Sequence, residues 1–206
     1  MEQSYRDEMR EKLILATIDR LAVSGISGVH ARDLASEVGC AVGTIYNLVG
    51  DLDNLILLAC ARTFKEYQAY VTNYLQQEKE KGATNLQLLE ALGASYVDFS
   101  SLHRLRWQAA FEVRYDKDSD FHHIFKTGQR ELLRLIVDIL KEINADVDEK
   151  ELASIGRALW ASVHGISMLA ASNPRGALSR EKILIQCNRI IHPVIESLER
   201  REKPKP

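Results

Sequence analysis

Thr44, Tyr46 and Asn47 place a hydroxyl, a phenol and a carboxamide close together, just after the small residue Gly43. Such groups donate to and accept from base edges and phosphates, so the stretch suits nucleic-acid contact. A glycine within a helix costs about 1 kcal/mol relative to alanine, which makes sense where a partner must approach the backbone. Other groups with chemical promise carry less. Asp116, Asp118 and Asp120 alternate as in a calcium loop, but Phe121 stands where that loop needs glycine, and Thr127 where it needs glutamate. His122 and His123 are adjacent and diverge by about 100° on a helix, so they do not converge on a metal. Cys40, Cys60 and Cys187 are widely spaced and form no Cys-x-x-Cys, which implies neither a disulfide framework nor a zinc site. Cys40 has no cation near it in sequence to stabilise a thiolate. With no Ser-His-Asp set, glycine-rich phosphate loop or acid–base pair, the expected role is binding: no enzyme, no metal, no cofactor.

Presenting Gly43 to Asn47 requires a helix backed by a core, and apolar spacing throughout the chain is helical, with no sustained period-two alternation. The expectation is an all-α fold of about nine helices. Ile14, Ile18, Leu21 and Ala22 mark a first helix that Gly25 closes. Two short helices, about Ala31–Val38 and Ala41–Val49, flank a turn at Gly39-Cys40, which is helix-turn-helix spacing over about residues 30–49. On a helical wheel Ala41, Ile45, Leu48 and Val49 face a core, and Gly43, Thr44, Tyr46 and Asn47 occupy the opposite arc. Asp51 is a good N-cap for a fourth helix reaching about Lys81, roughly 45 Å long at 1.5 Å per residue. Helical spacing resumes over Leu88 to Phe99, Leu105 to Val113 and Phe121 to Ile143, with a polar loop at 116–120. Asp146 or Asp148 can cap the next helix, which Asn173 to Gly176 ends. Ser179 caps a last one that Pro193 should kink. The domains expected are 1–55, a three-helix DNA-binding head, and 56–206, a helical bundle.

Charge points the other way. Residues 1–65 hold seven Lys and Arg against nine Asp and Glu, whereas a DNA binder usually shows a basic footprint. The N-terminal residues are too polar for a secretory signal. The most apolar stretch, Ala158 to Ala171, is shorter than the roughly 20 residues a bilayer crossing needs. A cytoplasmic protein with no membrane partner is the expectation, and scattered free cysteines fit a reducing compartment.

The pattern Gly25-x4-His30-Ala31-Arg32-Asp33-Leu34-Ala35-x3-Gly39-x3-Gly43-Thr44-Ile45-Tyr46 resembles the N-terminal signature of the TetR/AcrR family of transcriptional regulators. The resemblance covers about residues 8–60. It implies a DNA-binding head, an effector-binding and dimerising remainder, and usually repression of transcription. By position, Arg32, Val42, Thr44 and Asn47 correspond to residues that approach bases in the family, and Tyr46 to a frequent phosphate contact. Three departures stand out. His30 replaces a capping, phosphate-binding threonine, Val49 a phenylalanine, and Leu52 a lysine that often reaches a phosphate.

Leu159-Trp160-Ala161-Ser162-Val163-His164-Gly165 resembles the Trp…His-Gly motif of one TetR subgroup. A helix this apolar on all sides must be covered on all sides. Trp160 and His164 either line a ligand cavity or fill a core. Gly156, Ala161, Gly165 and Ala170 would let a partner helix come close. Ligand-binding candidates are the rings of Tyr96, Phe99, Trp107, Phe111 and Trp160, with His103 and His164 as polar points, and both tryptophans are expected to line one cavity. The expected protein is therefore a homodimer that binds double-stranded operator DNA and leaves it when a small-molecule effector binds. The dimer contacts would come from about residues 152–172 and 180–198. A helical ligand- or partner-binding protein with a non-functional DNA head is the alternative.

Overall fold

Helical spacing in the sequence becomes nine α-helices, with no strand, among the described residues (2–114, 120–172 and 178–200) of the computed structural model. They are α1 Glu2–Ser24, α2 Ala31–Val38, α3 Val42–Val49, α4 Leu52–Glu80 and α5 Asn85–Leu102. After these come α6 Arg104–Glu112, α7 Asp120–Ile143, α8 Glu149–Ser172 and α9 Arg180–Glu199. Local signals set the boundaries. Gly25 stops α1 at φ 63° and ψ −163°, a region essentially closed to side chains, while its amide still donates to Leu21 O at 3.1 Å. Asp51 Oδ1 accepts from Asn54 N at 2.6 Å where α4 begins. Of the two candidate caps before α8, Asp148 is used: its Oδ2 accepts from Lys150 N at 3.0 Å. Ser179 Oγ accepts from Lys182 N at 3.4 Å at the start of α9. That helix runs through Pro193 without interruption. The expected loop at 116–119 and the helix end at Asn173 to Gly176 lie outside the described residues, and Asp120 already opens α7.

The chain forms two compact units: Met1–Glu66 with His103–Gln129, and Tyr67–Leu102 with Arg130–Pro206. The first takes in more than residues 1–55, because the start of α4, all of α6 and the start of α7 belong to it. In this unit α1 packs on α2, α3 and α6. Leu13, Leu21, Leu34, Ile45, Val49 and Leu55 are buried at its centre. Ile45, Leu48 and Val49 thus face the core as the wheel requires. Ala41 does not: it is the exposed, extended residue just before α3, where helical periodicity has not begun. Phe64 lies between Trp107 and Phe125, with ring centroids 5.4 and 5.2 Å away. Gly128 permits this approach, since a Cβ there would sit 3.3 Å from Phe64 Cβ.

In the second unit α5, α8 and α9 pack on one another. Leu88, Leu89 and Leu92 of α5 are buried, as are Leu159 and Val163 of α8 and Cys187, Ile191 and Ile195 of α9. Polar ties reinforce the α5–α9 contact. Asp98 takes a two-point bond from Arg180 (2.5 and 2.7 Å), and Glu90 accepts from Asn188 Nδ2 at 2.9 Å. Full coverage of α8 is not found. Ala158, Ala161 and Leu169 face solvent, Leu169 at 73% exposure, because the neighbouring helices cover the opposite side.

Candidate functional site

The α2–turn–α3 segment presents the first group of candidate residues. Gly39, at φ 74°, ends α2, and Cys40 N donates back to Ala35 O at 2.9 Å. His30 precedes α2 with an extended backbone. Its carbonyl accepts from Asp33 N and Leu34 N at 3.1 Å, but its imidazole makes no capping bond, as expected of histidine there. Arg32 is exposed and forms no ion pair among the described residues. On α3, Gly43, Tyr46 and Asn47 are exposed, whereas Val42 and Thr44 are half-buried. A Cβ added at Gly43 would meet nothing within 4 Å, so this backbone is open to an incoming partner.

Two residues missed by sequence reasoning support α3 from α1. Arg6 Nη2 donates to Asn47 O at 3.1 Å, and Arg10 Nη2 to Leu48 O at 3.5 Å. Cations at the carbonyl end of a helix offset its negative partial charge. No local pattern announces this contact, which joins residues about forty positions apart. The acidity of the head is also largely internal. Glu8 pairs with Lys12 (2.7 Å), Glu11 with Arg62, and Glu37 and Asp33 with Arg20 (3.0 and 3.8 Å). Such exposed pairs add little stability, and because each also occupies a cation they leave the net charge of the head unchanged. Burial pushes the Cys40 thiol up, which argues against a reactive thiolate in the turn.

The second unit contains a cavity of about 50 Å³. Tyr67 from α4, Leu92 and Tyr96 from α5, Leu132 and Leu135 from α7, and Trp160 and Val163 from α8 are among its walls. None of the lining side chains is charged. Behind the wall stands His164, whose pKa is lowered by burial and whose imidazole is therefore neutral. Tyr96 Oη and His164 Nδ1 share a hydrogen bond at 2.5 Å, and Trp160 stacks on the same imidazole at 5.5 Å and 20°. Tyr67 O–H donates to Ser95 Oγ at 3.2 Å, and Ser95 in turn donates to Leu92 O at 2.7 Å.

Of the ligand candidates, the structure brings together Tyr96, Trp160 and His164. Phe99 is buried beside them, against Tyr67 at 5.0 Å and Tyr70 at 6.0 Å, and is not part of the lining. The expectation that both tryptophans line one cavity is overturned. Trp107 is 1% exposed in the first unit, packed between Phe64 and Phe111. The helical signal breaks at a single residue, His103, after which α6 joins the α1 side, so His103, Trp107 and Phe111 leave the cavity together. Burial and the nearby Arg106 lower the His103 pKa, with Glu66 opposing. Tyr67, Leu132 and Leu135 take the places of these three at the wall. Their apolar spacing was visible in the sequence, but nothing local marked them as lining.

Residues 89–182 match the tetracyclin repressor-like C-terminal domain. No curated protein matches the chain's sequence. Among solved structures, a TetR transcriptional regulator from Rhodococcus sp. RHA1 is 14% identical and has a TM-score of 0.64, over 94% of this chain and 97% of that one. RolR in complex with resorcinol is 15% identical over 98% of both chains, with a TM-score of 0.65. FadR from Bacillus subtilis in complex with stearoyl-CoA is 11% identical, covers 90% of this chain and 97% of its own, and has a TM-score of 0.64. At these identities the likeness is one of fold. The chain is thus similar to TetR-family regulators in its matched domain over residues 89–182 and in an all-helical fold shared along nearly its whole length.

Proposed function

We propose that the chain is a ligand-responsive, sequence-specific DNA-binding regulator of transcription, a repressor that leaves its operator when a small molecule occupies the cavity. The observation that carries this reading is the α3 surface. Gly43, Tyr46 and Asn47 stand exposed above a core of Ile45, Leu48 and Val49, and Arg32 on α2 is exposed and forms no ion pair among the described residues. In this proposal residues 1–55 read DNA and residues 56–206 bind the effector and dimerise. His30, Arg32, Val42, Gly43, Thr44, Tyr46 and Asn47 form the DNA surface. Tyr96, Trp160 and His164 form the ligand site, in keeping with the Trp…His-Gly resemblance. The head remains net acidic, so the DNA reading rests on the α3 surface and not on charge.

Two helices, α4 and α7, contribute residues both to the head unit and to the cavity wall. An effector that prefers one placement of these helices biases the head, and only by its difference in affinity between the two states, about 1–3 kcal/mol in typical allosteric systems. RolR bound to resorcinol and FadR bound to stearoyl-CoA are relatives in fold whose ligands support a small-molecule effector here. Exposed apolar residues on α8 and α9 (Leu169, Ile185, Ile190) support a homodimer, the arrangement that sets two recognition helices in successive major grooves. No single helix among the described residues is long and apolar enough to cross a membrane, and the proposed site of action is the cytoplasm.

The direct test is selection of bound sequences from random double-stranded DNA by the purified protein. The expected result is an inverted repeat with half-sites about one helical turn apart. Recovery of no preferred sequence would overturn the DNA reading and favour a ligand-binding protein with a silent head.

A further inference from the structure

The cavity in the second unit is narrow. At about 50 Å³ it holds no more than a few water-sized molecules, whereas a dry apolar cavity needs roughly 150 Å³ to take benzene. A ring-sized ligand can enter only if part of the wall moves. Of the lining residues, only Leu132, Leu135 and Trp160 are partly exposed, and the rest are buried. The wall therefore reaches solvent between α7 and α8, and Trp160 is the largest group there. Its indole lies flat against the imidazole of His164, a contact that a change of rotamer undoes without breaking the helix.

The chemistry of the remaining wall limits what can be admitted. With no charged side chain in the lining, an ionised ligand would lose its hydration without gaining a partner. The polar feature at the α5–α8 wall is the Tyr96–His164 pair. In either tautomer of His164 the phenolic oxygen of this pair keeps lone-pair capacity, so it can accept from an incoming hydroxyl.

We propose that Trp160 is the door of this cavity, and that it admits an uncharged, ring-sized hydrocarbon bearing a hydroxyl that donates to Tyr96 Oη. This rests on the ligand-responsive reading above and adds the entry route and the chemical class.

The test uses the full-length protein and three probes: 1-naphthol, naphthalene and 1-naphthoate, at neutral pH. Calorimetry gives the affinities, and stopped-flow naphthol fluorescence gives the association rate. Naphthol should bind about tenfold or more tighter than naphthoate, and the naphthol preference over naphthalene should vanish in Tyr96→Phe. Trp160→Ala should raise the association rate constant by about tenfold, and Trp160→Phe by less, so the series stays readable if the alanine variant folds poorly. Equal binding of naphthoate overturns the charge selection. An unchanged naphthol-to-naphthalene ratio in Tyr96→Phe overturns the hydroxyl contact, and an unchanged association rate in both Trp160 variants overturns the door. Binding of no probe overturns the inference as a whole. Operator retention is measured separately. A probe that enters as described yet leaves DNA bound sustains this inference and defeats the ligand-responsive reading instead.

Discussion

The Asn47 side chain is exposed while its carbonyl is held by Arg6, so trimming it alters the recognition surface without touching the fold. Asn47→Ala should leave the urea midpoint unchanged and weaken specific operator binding by about 1–3 kcal/mol, read by fluorescence anisotropy against a scrambled duplex. Undiminished selectivity in the Thr44→Ala/Asn47→Ala double variant would show that another surface reads the bases. His164 makes a prediction in the pH dimension. Burial lowers its pKa in the folded protein, so below the ordinary imidazole value of 6.5 the unfolded chain binds the proton more readily than the folded one. Stability is therefore indifferent to this group above that value and declines as pH falls through it. Urea midpoints measured at about pH 7.5 and about pH 5.5 should differ less in His164→Gln than in the parent protein. Some acid sensitivity should remain, because burial and Arg106 lower the pKa of His103 as well. An identical pH dependence in the variant would mean that His164 is not the group responsible.

At the scale of the element, two residues, Gly50 and Asp51, separate α3 from the start of α4. Gly50 ends α3, and Asp51 begins the next helix by accepting from Asn54 N at 2.6 Å. Asp51→Ala should cost about 0.5–2 kcal/mol of stability by chemical denaturation, while the neighbouring Asp53→Ala, which removes no such bond, should cost less. Equal losses would reduce Asp51 to a generic surface charge. The helices were legible in advance because their signals are local. Ala31–Val38 was read to the residue, and α4 to within one residue at its C-terminal end. Ala41 was misplaced because a wheel assumes helical geometry one residue before it starts. The Arg6–Asn47 and Arg10–Leu48 contacts were not legible at all, since they depend on how α1 lies against α3.

For the whole molecule, the exposed apolar residues of α8 and α9 set the expected assembly. Leu169 is 73% exposed, and Ile185 and Ile190 are also open to solvent. Light scattering at micromolar concentration should report a dimer, and Leu169→Glu should shift it toward monomer by placing a charge in a desolvated interface. That variant should also lose most of its operator affinity, because a single recognition helix then acts alone. A parent protein that remains monomeric would defeat the proposed assembly.

All-helical character, the two short helices around Gly39 and the exposure of Gly43, Tyr46 and Asn47 follow from the sequence alone, because apolar period, glycine stops and capping side chains act within a few residues of one another. The composition of the cavity does not. Trp107 and Trp160 look equivalent as aromatic residues in apolar helices, yet one fills the core beside Phe64 and the other walls a cavity with Tyr96. Which of these happens depends on the break at His103 and on the packing of α6 with α1. Tertiary packing likewise decides which charges of the head meet, as Arg20 with Glu37 and Arg62 with Glu11. A total charge records how many groups there are, and only the folded chain decides which of them meet.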